Sequence, residues 1–409
     1  MNGADRFQLY FDAVARKNTG TGNVVRAGIT LEGIIPEEVI RNSVEENEWV
    51  RFLSTFSLEK NPSSVLYKFK SNTNAEPLLV AFHSGTLQGA MRDIVSKDCN
   101  LQSDTPICVD VAYGENKTHL IFSISHVLMD HYGMENLLSS FAGVNNLVDF
   151  THPGNKKSML SKLADAAAAT LFVSSMSGRS MKRLRGDHGN GKASFESIEL
   201  SAEETIRVWN YMSGEMNAQA LPFFLGCSLF AISKHSKFLT GKKYFVPVPM
   251  DRRPASCKNS VLSNFISFLY FNAKDSDLES LQQSVEIISK QMISQARKNM
   301  PEKFSSLLDL FRFVPKYIYK AFIELPGNGH SATFAFSLLS GSKLEGKEMM
   351  GHKVLDVTHY APAISPPGLN VIFSEFNGKL KILCTFDERR ITKDNVVSYL
   401  GTLKLNLLG

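Results

Sequence analysis

At 409 residues the chain is too long for one ordinary core and predicts two lobes of roughly 150–200 residues each. A hydrophobic fraction of 43% and a charged fraction of 21% predict a soluble globular protein, and the mild net charge of +5 permits attraction to phosphates or acidic partners but does not point to nucleic acid. Five scattered cysteines (Cys99, Cys108, Cys227, Cys257, Cys384) with no Cys-x-x-Cys pair exclude a disulfide scaffold and a cysteine zinc site, and fit a reduced, cytoplasmic compartment.

The opening MNGADRFQLYFDAVARK has charges where a signal peptide needs an apolar run, and no transmembrane segment is expected anywhere. Residues 24–32 (VVRAGITLE) predict a strand, and Pro36 then opens a helix with Glu37 and Glu38 in its first turn. Apolar segments at 50–58, 65–69 and 78–82 predict core, and His83 beside them is given no chemistry. Pro106 to Tyr113 alternates at period two, and Gly114-Glu115-Asn116-Lys117 is turn chemistry. An antiparallel hairpin with the next strand follows.

That next strand, Thr118 to Ser125 (THLIFSIS), is a buried apolar run, and it leads into Ser125-His126-Val127-Leu128-Met129-Asp130-His131-Tyr132-Gly133. Met134, Leu137, Leu138 and Phe141 recur at helical spacing, and Gly143 is placed to end that helix. His126 therefore stands on a tight strand-to-helix connection held by scaffold on both sides. That is a good place to fix an imidazole, the side chain best suited to moving a proton near neutral pH. His-x-x-x-Asp also puts the Asp130 carboxylate in the same turn, where it can brace the loop or meet a cation. His126 and His131 are five apart, off the i, i+4 face a helical metal site uses, and no metal is expected.

From 151 to 192 the composition shifts. Leu160, Leu163, Ala167 and Leu171 predict a helix, and a Gly-rich basic piece follows with Arg179, Lys182, Arg183, Arg185 and Lys192. Residues 151–195 are read as a crossover linker between an N-terminal lobe, 1–150, and a C-terminal lobe, 196–409. Ser201-Ala202-Glu203-Glu204 is a capping box, and Leu221 to Ser233 predicts a buried helix. A strand from Tyr244 ends in Pro249-Met250-Asp251-Arg252-Arg253, a charge cluster that calls for pairing. Leu278 to Met292 predicts a long helix stopped by Pro301. Asn377-Gly378 between two apolar runs predicts a type I′ hairpin.

The His126 stretch resembles the His-His-x-x-x-Asp-Gly signature of the CoA-dependent acyltransferase superfamily. That group holds chloramphenicol acetyltransferase, the alcohol acyltransferases and the condensation domains of peptide synthetases. Here the first His is Ser125 and the final Gly is His131, with Gly133 placed to relieve the backbone instead. Pro249 to Arg253 resembles the family's Pro-Val-Asp-Leu-Arg element. That likeness implies an Asp130–Arg253 pair, with Arg252 as the alternative partner. Ser263-Asn264 resembles a Gly-Asn step, and Ser337 falls where relatives often carry Ser-Asn-Leu-Gly.

The resemblance implies an α/β (α+β) architecture of two chloramphenicol-acetyltransferase-like lobes with an active-site tunnel between them. It implies acyl transfer from acyl-CoA to a hydroxyl or amine of a small-molecule acceptor, with His126 as general base and no permanently bound cofactor. Asp130 would hold the loop; Ser337, Asn264 and His131 are the candidate oxyanion or substrate contacts. An acyl or peptidyl carrier protein as donor or acceptor partner is the first alternative. A catalytically silent binding relative, suggested by His131, is the second. A monomer is expected.

Overall fold

A computed structural model describes residues 1–60, 67–71, 79–85, 87–99, 106–144, 146–148, 157–178, 180–186, 192–324 and 329–409. The sequence expectations for the apolar runs at 65–69 and 78–82, for the linker 151–195 and for Arg179 fall wholly or partly outside these residues. The chain divides into two compact units. The first comprises Met1–Asn155, Arg252–Phe265 and Ser340–Pro362; the second comprises Lys156–Asp251, Ile266–Leu339 and Ala363–Gly409.

The first unit is built on a six-stranded mixed sheet. In spatial order its strands are Glu348–Met349, His352–Tyr360, Val24–Glu32, Lys117–Ser125, Ile107–Gly114 and Leu79–His83. All neighbours are antiparallel except the last pair, which is parallel. The expected hairpin is present, with Asn116 at φ +50° in its turn. The strand leading to His126 is central, and Leu120, Phe122 and Ile124 are all buried. Register places Ser125 opposite Val24, and His359 and Phe122 either side of Ala27. The helix after the motif spans His131–Ser140, and Met134, Leu137 and Leu138 are buried at the expected spacing.

The second unit carries a four-stranded mixed sheet in the order Ala335–Leu338, Leu369–Phe376, Lys379–Asp387, Ala193–Glu199. Asn377 and Gly378 make its hairpin turn with φ +49° and +70°, as type I′ geometry requires. The helix Ala220–Lys234 is buried through most of its length, and the Ser201/Glu204 capping box forms with both hydrogen bonds.

Three expectations are corrected. Pro36 stands at the N-cap of the helix Glu37–Glu46, one position before the first turn. The long helix Leu281–Arg297 is ended by Asn299 at φ +50°, and Pro301 instead sits in the first turn of the next helix, Met300–Phe311, where a missing N–H costs nothing. In the helix Met159–Met176 the packed face is Ala166, Ala169, Phe172 and Val173 against Met300, Phe304 and Leu307, while Leu160, Leu163 and Leu171 are exposed. Small alanines allow close helix approach, so the helix turned a different stripe inward from the one its leucines suggest.

The basic stretch after that helix is part of the second unit. Arg183–Leu184 pairs with Leu239–Thr240, and Lys182 is buried with its Nζ 2.8 Å from Asp275 Oδ1 and 4.7 Å above the Tyr244 ring. Lys182 is therefore committed internally and is not a surface cation for phosphates. The five cysteines are free thiols. Among the described residues no helix is long and apolar enough to cross a membrane.

Candidate active site

The strand Lys117–Ser125 delivers His126 into a turn fixed from several sides. His126 N–H donates to Asn23 O at 2.8 Å, and Leu128 N–H to Ser125 O at 2.9 Å. The segment Arg252–Phe265 runs beside this turn: Ser263 N–H donates to Leu128 O, and Asn264 Nδ2 lies 3.0 Å from His126 O and 3.3 Å from Val127 O.

The His126 ring has one decisive contact. Its Nδ1 is 2.8 Å from Met129 O. A carbonyl oxygen only accepts, so Nδ1 carries the proton and the neutral ring has its lone pair on Nε2. The residue as a whole is half-buried. Burial of the ring lowers its pKa below 6.5, against smaller opposing contributions from the Met129 hydrogen bond and the Asp130 charge. The imidazole is thus neutral at physiological pH with a usable basic nitrogen.

Asp130 does not touch that ring nitrogen. It is the N-cap of the following helix, and its Oδ1 accepts from Gly133 N–H at 3.0 Å. Arg253 Nη2 lies 2.8 Å from the same oxygen, and Phe265 N–H donates to Oδ2 at 2.9 Å. The Arg253 side chain is 1% exposed, with its guanidinium 4.6 Å from the Phe265 ring centroid and 5.3 Å from that of Tyr132. Arg252, the alternative partner, is exposed.

Gly133 acts differently from the expectation. Its backbone is helical, with no positive φ to relieve. A Cβ there would run into the Val261 carbonyl oxygen and stand 2.8 Å from Met129 Cβ, so glycine is required by close approach of the 252–265 segment. His131 is the first helical residue, and helical backbone needs no glycine, so the departure from the signature carries no conformational cost. The strained position is Ser263, at φ +75°, where relatives were read to carry Gly.

Asn264 was an oxyanion candidate. Its amide hydrogens face His126 O, Val127 O and Asp5 Oδ1, so it holds the turn and offers no free donor. Asp5 was missed by sequence reasoning. Fully buried, it accepts from Asn264 N–H at 2.8 Å and forms a capping box with Asn2. Burial raises its pKa to about 6, with the hydrogen bonds from Asn264 and Asn2 opposing. The Asn2-x-x-Asp5 pattern carried the capping signal, but not its long-range partner. Ser337 lies on a strand of the second unit and is partly buried there.

Two more missed residues surround His131. Glu135 is one turn along the same helix, and His359 comes from the sheet. One ligand-type atom from each of these two residues and one from His131 all lie within 4.8 Å of one another. Burial lowers the His131 pKa to about 3, helped by His359. For Glu135, burial pushes upward but His359, His131 and the Lys343 N–H outweigh it and hold the carboxyl at about 2.

No protein-family model and no curated protein matches this chain. Solved structures do match over its whole length. The trichothecene 15-O-acetyltransferase of Fusarium sporotrichioides superposes with a TM-score of 0.72 at 10% identity, covering 100% of this chain and 94% of that one. The starter condensation domain of rhizomide synthetase, solved with C8-CoA and Leu-SNAC, gives 0.67 at 10%, with 100% and 94% covered. The condensation domain of the monacolin K polyketide synthase gives 0.66 at 11%, with 99% and 96% covered. The fold is that of chloramphenicol-acetyltransferase-like acyltransferases and condensation domains.

The 252–265 contacts make two opposite substitutions informative. Gly133→Ala should destabilise by about 1–3 kcal/mol through overpacking, and Ser263→Gly should stabilise by about 0.5–1 kcal/mol by removing left-handed strain. Urea midpoints measure both; an unchanged midpoint for Gly133→Ala would count against the close approach.

Proposed function

We propose that this chain, which shares its fold with the acyltransferases and condensation domains, moves an acyl group from acyl-CoA to a hydroxyl or amine of a small-molecule acceptor. The observation that supports this most is the Nδ1–H of His126 held on Met129 O, which fixes the tautomer and leaves Nε2 as the base.

In this reading Nε2 takes the proton from the acceptor O–H or N–H as that atom attacks the thioester carbonyl. A new C–O or C–N bond forms and the carbonyl becomes a tetrahedral oxyanion. Its collapse breaks the C–S bond, and the departing thiolate takes the proton back from Nε2. The ring ends as it began, and no covalent enzyme intermediate forms. Asp130 is a positioning residue: both its oxygens are occupied by Gly133, Phe265 and Arg253, so it fixes the turn rather than relaying charge. Gly133, Arg253 and Asn264 serve the same end. The mild positive charge and free thiols suit a cytoplasmic, monomeric enzyme handling a phosphate-bearing donor.

A carrier-bound donor or acceptor is the second reading, favoured by the likeness to condensation domains of assembly-line synthetases. Free-thiol release from a panel of acyl-CoAs with alcohol and amine acceptors separates the two, because a carrier-dependent enzyme is slow on every free CoA ester. A silent binding relative releases no thiol from either kind of donor.

His126→Ala should lower kcat by about 10²–10⁴-fold while leaving the far-ultraviolet dichroism of the folded chain intact. Equal turnover in the variant would remove His126 from the chemistry. The pH profile follows from the depressed imidazole. Protonation silences the base, so kcat/KM should fall on the acid side with an apparent pKa under 6.5 and be flat above it. An acid limb centred above pH 7 would assign the base to another group.

A further inference from the structure

Three sealed ligand-type atoms meet beside the motif helix. His131 Nε2, Glu135 Oε1 and His359 Nε2 are each sealed from solvent, and none has a hydrogen-bond partner. His359 Nε2 comes to 2.7 Å from Glu135 Oε1, yet the two do not align as donor and acceptor. The imidazoles of His131 and His359 meet edge to face, 4.5 Å between centroids at 85°. Orphaned buried polar atoms are rare, and one at His131 beside a close but poorly aligned histidine–carboxylate pair calls for an explanation.

We propose that His131, Glu135 and His359 form a binding site for one divalent transition-metal ion of the zinc type. Two imidazoles and a carboxylate are a recurrent zinc donor set that leaves a fourth position open. His131 and Glu135 are four apart on one helical face, the spacing that aims two side chains at one ion.

The carboxylate is also oriented for the task. Its other oxygen, Oε2, accepts from Ser342 Oγ at 2.9 Å and from Lys343 N–H at 2.7 Å, which turns Oε1 toward the histidines. Outer partners of this kind commonly fix metal-binding carboxylates. The nearby cations are occupied elsewhere: Lys343 Nζ bonds Asn136 Oδ1, and Arg253 is paired with Asp130.

The geometry needs modest closure. Ligands at about 2.1 Å from a tetrahedral ion stand about 3.4 Å apart. The widest pair, at up to 4.8 Å, must therefore draw in, and the 2.7 Å pair must open. Ring rotation at His131 and His359 supplies both movements. The site ties the motif helix to the strand His352–Tyr360 within one unit, so it is independent of whether His126 performs acyl transfer.

The test is metal binding by the full chain. After dialysis against chelator, titration with Zn²⁺ should give one tight equivalent, and Co²⁺ should give the visible bands of a low-symmetry tetrahedral site. His359→Gln and Glu135→Gln should each weaken Zn²⁺ binding at least tenfold and abolish those bands. Ser342→Ala, which leaves all three ligands in place, should weaken binding about 10–100-fold and so covers the case in which a ligand variant fails to fold. Absence of a stoichiometric site in the wild-type chain, or a site unchanged in His359→Gln, would overturn the assignment.

Discussion

The Asp130 carboxylate is the constraint on which the rest of the first unit's site depends. It caps the start of a helix, binds a buried guanidinium and receives a backbone N–H from a segment more than a hundred residues away. A buried charge is costly alone, and removing one member of such a pair typically costs about 3–5 kcal/mol because the other is stranded. Here Arg253 also lies near two aromatic rings, so its charge has neighbours on its faces as well as its edge. The practical result is rigidity. His126 is four residues before that anchor, and its backbone is held by Asn23 and Asn264 as well. A base that must meet a reacting atom within a few tenths of an ångström gains most from being fixed this way.

The two histidines of the motif show how local surroundings separate identical side chains. His126 has a carbonyl on Nδ1, and burial of its ring keeps it neutral with the lone pair on Nε2. His131, five residues on and equally half-buried, lies against another imidazole and a carboxylate, with its Nε2 sealed. Nothing in residue type distinguishes them. The difference lies in the neighbours that the turn and the helix bring to each ring.

Legibility followed the range of the forces involved. The hairpin at Asn116, the I′ turn at Asn377-Gly378, the Ser201 capping box and the motif strand and helix are local, and periodicity with turn chemistry located them to within a residue or two. The Asp130–Arg253 contact spans 123 positions, and it was reached through family likeness, because no periodicity links such residues. Asp5, Glu135 and His359 stayed hidden for the same reason. Their partners lie 259, 207 and 224 positions away or more in sequence terms, counting Asp5 to Asn264, Glu135 to Ser342, and Glu135 to His359. The inward face of Met159–Met176 was misread because leucine hydrophobicity outweighed the alanines, whereas helix packing at short distance favours the smaller side chains.

The departures from the signature gain a physical reading together. Glycine at position 131 would serve a backbone that is in fact helical, so any residue fits there, and the freedom is used to bring a histidine toward Glu135 and His359. Glycine at 133 cannot be replaced without moving Val261, and so it is kept. Ser263 tolerates a left-handed backbone because its N–H bonds Leu128 O and the next residue is clamped by Asp5, so the surrounding contacts hold what local preference opposes. In this chain the non-glycine residues stand where the backbone is regular or over-determined, and the glycine stands where two segments touch. A signature scored residue by residue would penalise positions 131 and 263 and would not read position 133, although only the glycine there, in contact with the neighbouring carbonyl, carries a steric requirement.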